Sequence, residues 1–216
     1  MLMKSLVLKF PTVFCLMFFI AAYDGRALDK GTGELGFWVG YSPDNPTLIG
    51  KKTDRPFFEL NIQYARTLAT GRDWAIKHTI ELVPVAIISQ PEQAGVASGG
   101  RPANADVPNS RRAIYGGGIS PIGLQLNYRR GRMIQPYVNG TAGLIYFTDQ
   151  VPVKRSSQFN FAVGWGAGVQ IWHGQNRSTS FGYRFRHISN ANSSNVNPGV
   201  DSNLIYAGYN WGWRRQ

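Results

Sequence analysis

Cysteine is almost absent from this chain: Cys15 is the only one among 216 residues. That excludes a disulfide framework and any metal site built on thiolates. Histidine is nearly as scarce, with three in all. His78 and His173 have no second histidine, cysteine or carboxylate at ligand spacing, so neither a metal nor a cofactor is expected. Acidic residues number 12 against 23 lysines and arginines, and the formal charge is +11. Such a surplus favours anionic partners. No nucleic-acid recognition motif accompanies it, so nucleic acid is not expected among them. Nor does any apolar run reach the roughly 20 residues that a comfortable membrane helix needs.

What is present begins with a secretory signal. Lys4 and Lys9 precede the apolar stretch 13–22, and Gly25-Arg26-Ala27 offers a small-x-small cleavage site. The expected division is a signal peptide over 1–27 and one domain over 28–216. Cys15 falls inside the signal and lacks the small preceding residue of a lipid-anchored cysteine. Losing that segment removes three cations and one anion, which takes the formal charge from +11 to +9.

Eight runs in the domain have strand character, at about 34–43, 57–69, 74–88, 111–128, 134–148, 159–173, 179–189 and 201–213. In the second, Phe58, Leu60, Ile62 and Tyr64 alternate with Glu59, Asn61, Gln63 and Ala65. In the sixth, Phe161, Val163, Trp165, Val169 and Ile171 alternate with Ala162, Gly164, Gly166, Gly168 and Gln170. A soluble sandwich would carry charge on its second face. Here that face is small, which suits the crowded inside of a narrow barrel, while the aromatic face suits lipid. Tilted membrane strands need about 9–11 residues, and most runs reach that.

The connections agree. Tight links at 70–73, 129–133 and 174–177 alternate with long ones at 44–56, 89–110, 149–158 and 190–200. Short periplasmic turns alternating with long outer loops are the pattern of bacterial outer-membrane barrels. The expectation is therefore an all-β fold, an eight-stranded antiparallel up-and-down transmembrane β-barrel in the outer membrane. Glu59, Lys77, Glu81, Arg184 and Arg186 become interior groups paired across the lumen, and tryptophans and tyrosines form interfacial girdles. A homo-oligomer is compatible with this reading.

One hairpin carries chemistry. Phe181, Tyr183, Phe185, His187 and Ser189 share the lipid face of the seventh run. The loop 190–200 then returns the chain to Asp201. Serine, histidine and a carboxylate are the parts of a hydrolase triad. In one register Ser189 lies opposite Asp201; a slip of two residues brings His187 opposite it, and both registers keep all three on one face. Ser189 would attack an ester carbonyl, His187 would take and return the proton, and Asp201 would fix the imidazole tautomer. Asn190 and Asn197, with N–H groups of the loop, are the candidate oxyanion donors. Outer loops also hold Lys51, Lys52, Arg55, Arg101, Arg111, Arg112, Lys154 and Arg155, which could pair with lipid phosphates.

His187-Ile188-Ser189-Asn190-Ala191, with Asn197-Pro198-Gly199-x-Asp201, resembles the active-site segment of the outer-membrane lipid A 3-O-deacylases. The close match covers about 181–201. The resemblance implies an eight-stranded barrel esterase, with lipid A or lipopolysaccharide of the outer leaflet as substrate and the 3-hydroxyacyl chain at position 3 as the acid released. It implies Ser189 as nucleophile, His187 as base, Asp201 as acid and Asn197 in the oxyanion hole, with Asn190 and Ala191 at neighbouring motif positions. Two features depart from it. Asp201 stands where the best-known members have glutamate, and Trp213 is followed by Arg214-Arg215-Gln216 where many such barrels end on an aromatic residue. Rival expectations are a non-catalytic barrel serving membrane integrity or adhesion, and a phospholipase or carboxylesterase on the same scaffold.

Overall fold

A computed structural model describes residues 29–93 and 106–213 of the chain. The expected signal segment, Arg101 and the last three residues lie outside the described residues. Eight strands follow one another: β1 (Gly33–Ser42), β2 (Phe57–Thr70), β3 (Trp74–Gln93), β4 (Asp106–Tyr128), β5 (Ile134–Val151), β6 (Ser157–Trp172), β7 (Arg177–Ser189) and β8 (Val200–Trp213). Each pairs antiparallel with its chain neighbours, and β8 returns to β1 to close the barrel. Closure removes the edges that would otherwise leave backbone groups unpaired in lipid.

The alternation read from the sequence is the alternation of the wall. In β1, Leu35, Phe37, Val39 and Tyr41 face out, while Glu34, Gly36, Trp38 and Gly40 are buried inside. The tight links sit at one end. Gly71 N–H bonds to the Trp74 carbonyl, and Arg129, Gly131 and Gly174 take positive φ to turn the chain. Exposed Trp74, Tyr128, Trp211 and Trp213 ring that end, and Tyr41, Tyr115, Tyr146 and Phe159 ring the other. These are the two interfacial girdles.

Two connections are shorter than expected. β3 and β4 run for 20 and 23 residues, so much of the link expected at 89–110 is hairpin. The link after β5 shrinks likewise to 152–156. Beyond the membrane belt the strands keep pairing, as Gln90 does with Arg112, because pairing satisfies their backbone groups. In β3 and β4, Pro84, Pro91 and Pro121 each lie at a break in register.

The interior has two characters. Through its middle and toward the short turns it is polar. Arg184 Nη1 donates to both oxygens of Glu81 at 2.9 and 2.8 Å, and Arg186 Nη2 to both of Glu59 at 2.7 and 2.8 Å. Lys77 pairs with Glu34 at 2.7 Å and donates to Gln170 at 3.0 Å. The five interior charges expected from sequence are thus paired, with Glu34 as the sixth member. Toward the long loops the interior is instead a packed apolar plug that includes Phe57, Ile88, Ile114, Phe147, Ile188 and Val200. Glycine makes room for it: a Cβ on Gly116 would come within 2.6 Å of the Phe147 ring.

Candidate active site

β7 rises from the short turn after Trp172, so His187 and Ser189 arrive at the long-loop end of the barrel. Both are half-buried on the outward face that Phe181 and Tyr183 also occupy. Register settles the open choice. Arg186 pairs with Ser202, His187 with Asp201, and Ile188 with Val200. His187 therefore lies directly opposite the acid, and Ser189 is one step further out, with Cα atoms about 6.7 Å apart along the strand.

His187 Nδ1 and Asp201 Oδ1 are 2.7 Å apart. Cross-strand pairing already brings the two side chains together, so the one-methylene shorter acid reaches the imidazole without help from its length. Asp201 is completely buried, whereas 13% of the His187 side chain is exposed. With Nδ1 engaged, Nε2 is the free nitrogen, and it lies over Gly199. A Cβ there would be 2.9 Å from His187 Cε1 and 3.6 Å from Nε2, and the φ of Gly199 is +62°. Ring space and backbone both ask for glycine at that position.

The second oxygen of Asp201 is also held. Oδ2 accepts the main-chain N–H of Ile49 at 2.7 Å. Nothing in the sequence pointed to Ile49, because a main-chain donor has no side-chain signature.

The two asparagines divide. Asn190 is buried, and its Nδ2 donates to Ser194 Oγ at 2.7 Å and to the Val196 carbonyl at 2.9 Å. Its side chain braces the loop rather than facing the serine. Its main-chain N–H donates to Asn197 Oδ1 at 3.1 Å, and Asn197 Nδ2 donates to Asn192 Oδ1 at 3.2 Å. The carbonyl end of the Asn197 amide is thus anchored and its NH₂ end lies on the open side of the loop.

On the β6 side, Phe161 pairs with Ser189 and Val163 with His187, and both are exposed toward lipid. An acyl chain lying along the wall would meet an apolar surface there. The basic residues of this end have different fates. Arg55 is buried and donates to the carbonyls of Thr53 and Asp54, so it holds its own loop. Arg111 and Arg112 pair with Asp54 and Asp149. Lys51 and Arg155 are exposed, and Lys52 and Lys154 partly so. His173 bonds Thr179 at the opposite end, and His78 faces outward near the Pro121 carbonyl.

Comparison with known proteins adds a family. Residues 92–210 match the family model described as lipid A 3-O-deacylase (PagL). No curated protein matches the chain. Among solved structures, the outer membrane enzyme PagL superimposes with a TM-score of 0.55 at 16% identity, covering 81% of this chain and 97% of that one. OprG from Pseudomonas aeruginosa gives 0.50 at 12% identity over 89% of this chain and 100% of its own. Neisserial surface protein A gives 0.48 at 15%, over 84% and 97%. At these identities, PagL and OprG have the fold in common with this chain and nothing finer.

Proposed function

The chain belongs to the lipid A 3-O-deacylase family, and from that premise we propose that it hydrolyses the ester-linked 3-hydroxyacyl chain at position 3 of lipid A, using Ser189, His187 and Asp201. Its place is the bacterial outer membrane, whose outer leaflet holds that substrate.

The reaction is acyl transfer in two halves. Ser189 Oγ attacks the ester carbonyl while His187 Nε2 accepts its proton. The negative charge that develops on the carbonyl oxygen is met by Asn197 Nδ2, which swings from Asn192, and by N–H groups of the loop. Asn190 contributes through its main chain, by orienting the Asn197 amide. His187 then protonates the departing sugar oxygen, leaving an acyl-serine. Water, deprotonated by the same imidazole, hydrolyses it. Asp201 orients the imidazole and stabilises the imidazolium.

The observation that carries this reading is the 2.7 Å His187–Asp201 contact, formed on the lipid-facing side of the hairpin beside Ser189. A structural barrel has no use for a buried carboxylate bonded to a histidine at the membrane surface. The test is expression of wild type and Ser189→Ala in a Gram-negative host, followed by mass spectrometry of lipid A. Loss of one hydroxyacyl mass with wild type alone is the expected result. Unchanged lipid A in both, with the barrel folded in the outer membrane, would transfer the proposal to another lipid ester or to a non-catalytic barrel.

A further inference from the structure

The loop between β1 and β2 lies outside the segment that matches the family model, yet it reaches the acid of the site. Its residues 49–52 run alongside 198–201. Lys51 N–H donates to the Pro198 carbonyl at 2.7 Å, and Lys52 forms a parallel bridge with Val200. Asn45 Nδ2 donates to the Asp201 carbonyl and Asn45 Oδ1 accepts the Arg55 N–H, so one buried side chain ties the loop both to itself and to β8. Gly50 lies flat on the strand start: a Cβ there would be 2.9 Å from Val200 Cα and 3.0 Å from Asp201 N. At the end of this strap the Ile49 N–H meets Asp201 Oδ2 at 2.7 Å.

An aspartate has one torsion beyond χ1 that turns its two oxygens. With one oxygen on His187 and the other on a main-chain donor from a different hairpin, that torsion has no freedom left. The same N–H satisfies an anionic oxygen that is completely buried beside lipid, where an unpaired acceptor is costly. We propose that Ile49 is a positioning residue of the active site: its main-chain N–H, delivered by the 49–52 strap, holds the Asp201 carboxylate in the plane that orients His187. The strap makes the site a product of two loops, one from each side of the barrel seam, and it supplies the fixation that lets a short acid stand in this position. The inference rests on the triad reading above.

The test compares Ile49→Pro, which deletes the N–H, with Ile49→Ala, which keeps it, so that loss of the isoleucine side chain cancels. Each is refolded, checked for the heat-modifiable mobility of a closed barrel, and assayed on lipid A in detergent micelles. Misoriented catalytic groups lower turnover rather than binding, so the proline variant is expected to have a kcat roughly tenfold or more below the alanine variant, with KM within about twofold. Gly50→Ala, which lifts the strap while keeping every donor, should move the same way by a smaller factor, and it carries the comparison if the proline variant does not close. Equal kcat in the proline and alanine variants, or a parallel loss of kcat, KM and unfolding midpoint, would overturn the proposal. Labelling of Ser189 by a fluorophosphonate separates this outcome from failure of the substrate assignment. Slower labelling in the proline variant supports the strap even when lipid A is untouched, and equal labelling refutes it. A wild type that neither deacylates lipid A nor takes the probe overturns both readings.

Discussion

Strand β7 carries opposite chemistry on its two faces. Inward, Arg184 and Arg186 reach across the lumen to Glu81 and Glu59, and all four are buried. Outward, His187 and Ser189 stand on a wall of Phe161, Val163 and Tyr183 at the lipid boundary. The inner pairs are bidentate and closed to water. The outer histidine keeps one nitrogen free. The difference teaches how a strand only one residue thick can be both anchor and site. Alternate side chains are independent in what they touch yet share one backbone, so one strand carries ion pairs inside and reacting residues outside.

Substitutions should separate the two faces cleanly. The largest effect is Ser189→Ala, which should abolish deacylation, a loss of about 10⁶-fold, while the urea midpoint of the folded barrel stays where it was. Next is Asp201→Asn, which keeps the shape but loses the charge and stabilises the wrong imidazole tautomer. A fall in kcat of about 10⁴-fold, measured on micellar lipid A, is expected. On the inner face, Arg186→Met strands the Glu59 charge in a sealed interior and should cost about 3–5 kcal/mol in equilibrium unfolding. Pairing it with Glu59→Leu should return most of that loss. Turnover that fell in the single variant at full folding would show the faces to be coupled more tightly than the comparison allows. Asn197→Ala should lower kcat by about 10²–10³-fold with little change in KM, as removal of one oxyanion donor does. Smallest is the pair Lys154→Ala and Arg155→Ala. Each cation near an anionic surface contributes about 1 kcal/mol, so turnover of phosphorylated lipid A should fall several-fold and that of the dephosphorylated form should not. Equal loss on both substrates would remove the phosphate role.

Much of this was legible in the sequence because a membrane barrel repeats one rule along every strand. Lipid outside and a crowded lumen inside force a period of two, and Phe58 to Ala65 display it without exception. The residue types of the site were legible for the same reason, since His187 and Ser189 fall in the lipid phase. Register was not, because a slip of two keeps every side chain on its face. The pairing of His187 with Asp201 had to be seen. Nor could the role of Asn190 be read: the same amide can meet a substrate or a neighbouring loop, and here Ser194 and Val196 take it. Arg55 likewise reads as a loop cation, and becomes a buried brace only once Thr53 and Asp54 turn their carbonyls toward it. The apolar plug escaped as well, since Phe57 and Phe147 are residue types that the outside also uses.

That plug has an electrical consequence. Its side chains, among them Phe57, Ile88, Phe147 and Ile188, are almost completely withdrawn from solvent and fill the lumen at the level of the site, on the inner side of the wall. An ion entering from the periplasmic side would find the charges of Glu34, Lys77 and Glu81 and then a hydrocarbon stopper of low dielectric, which it cannot cross without shedding its hydration. The barrel is thus an insulator. Reconstituted in a planar bilayer it should pass no current, and a cell can carry many copies on its surface without making the outer membrane leak.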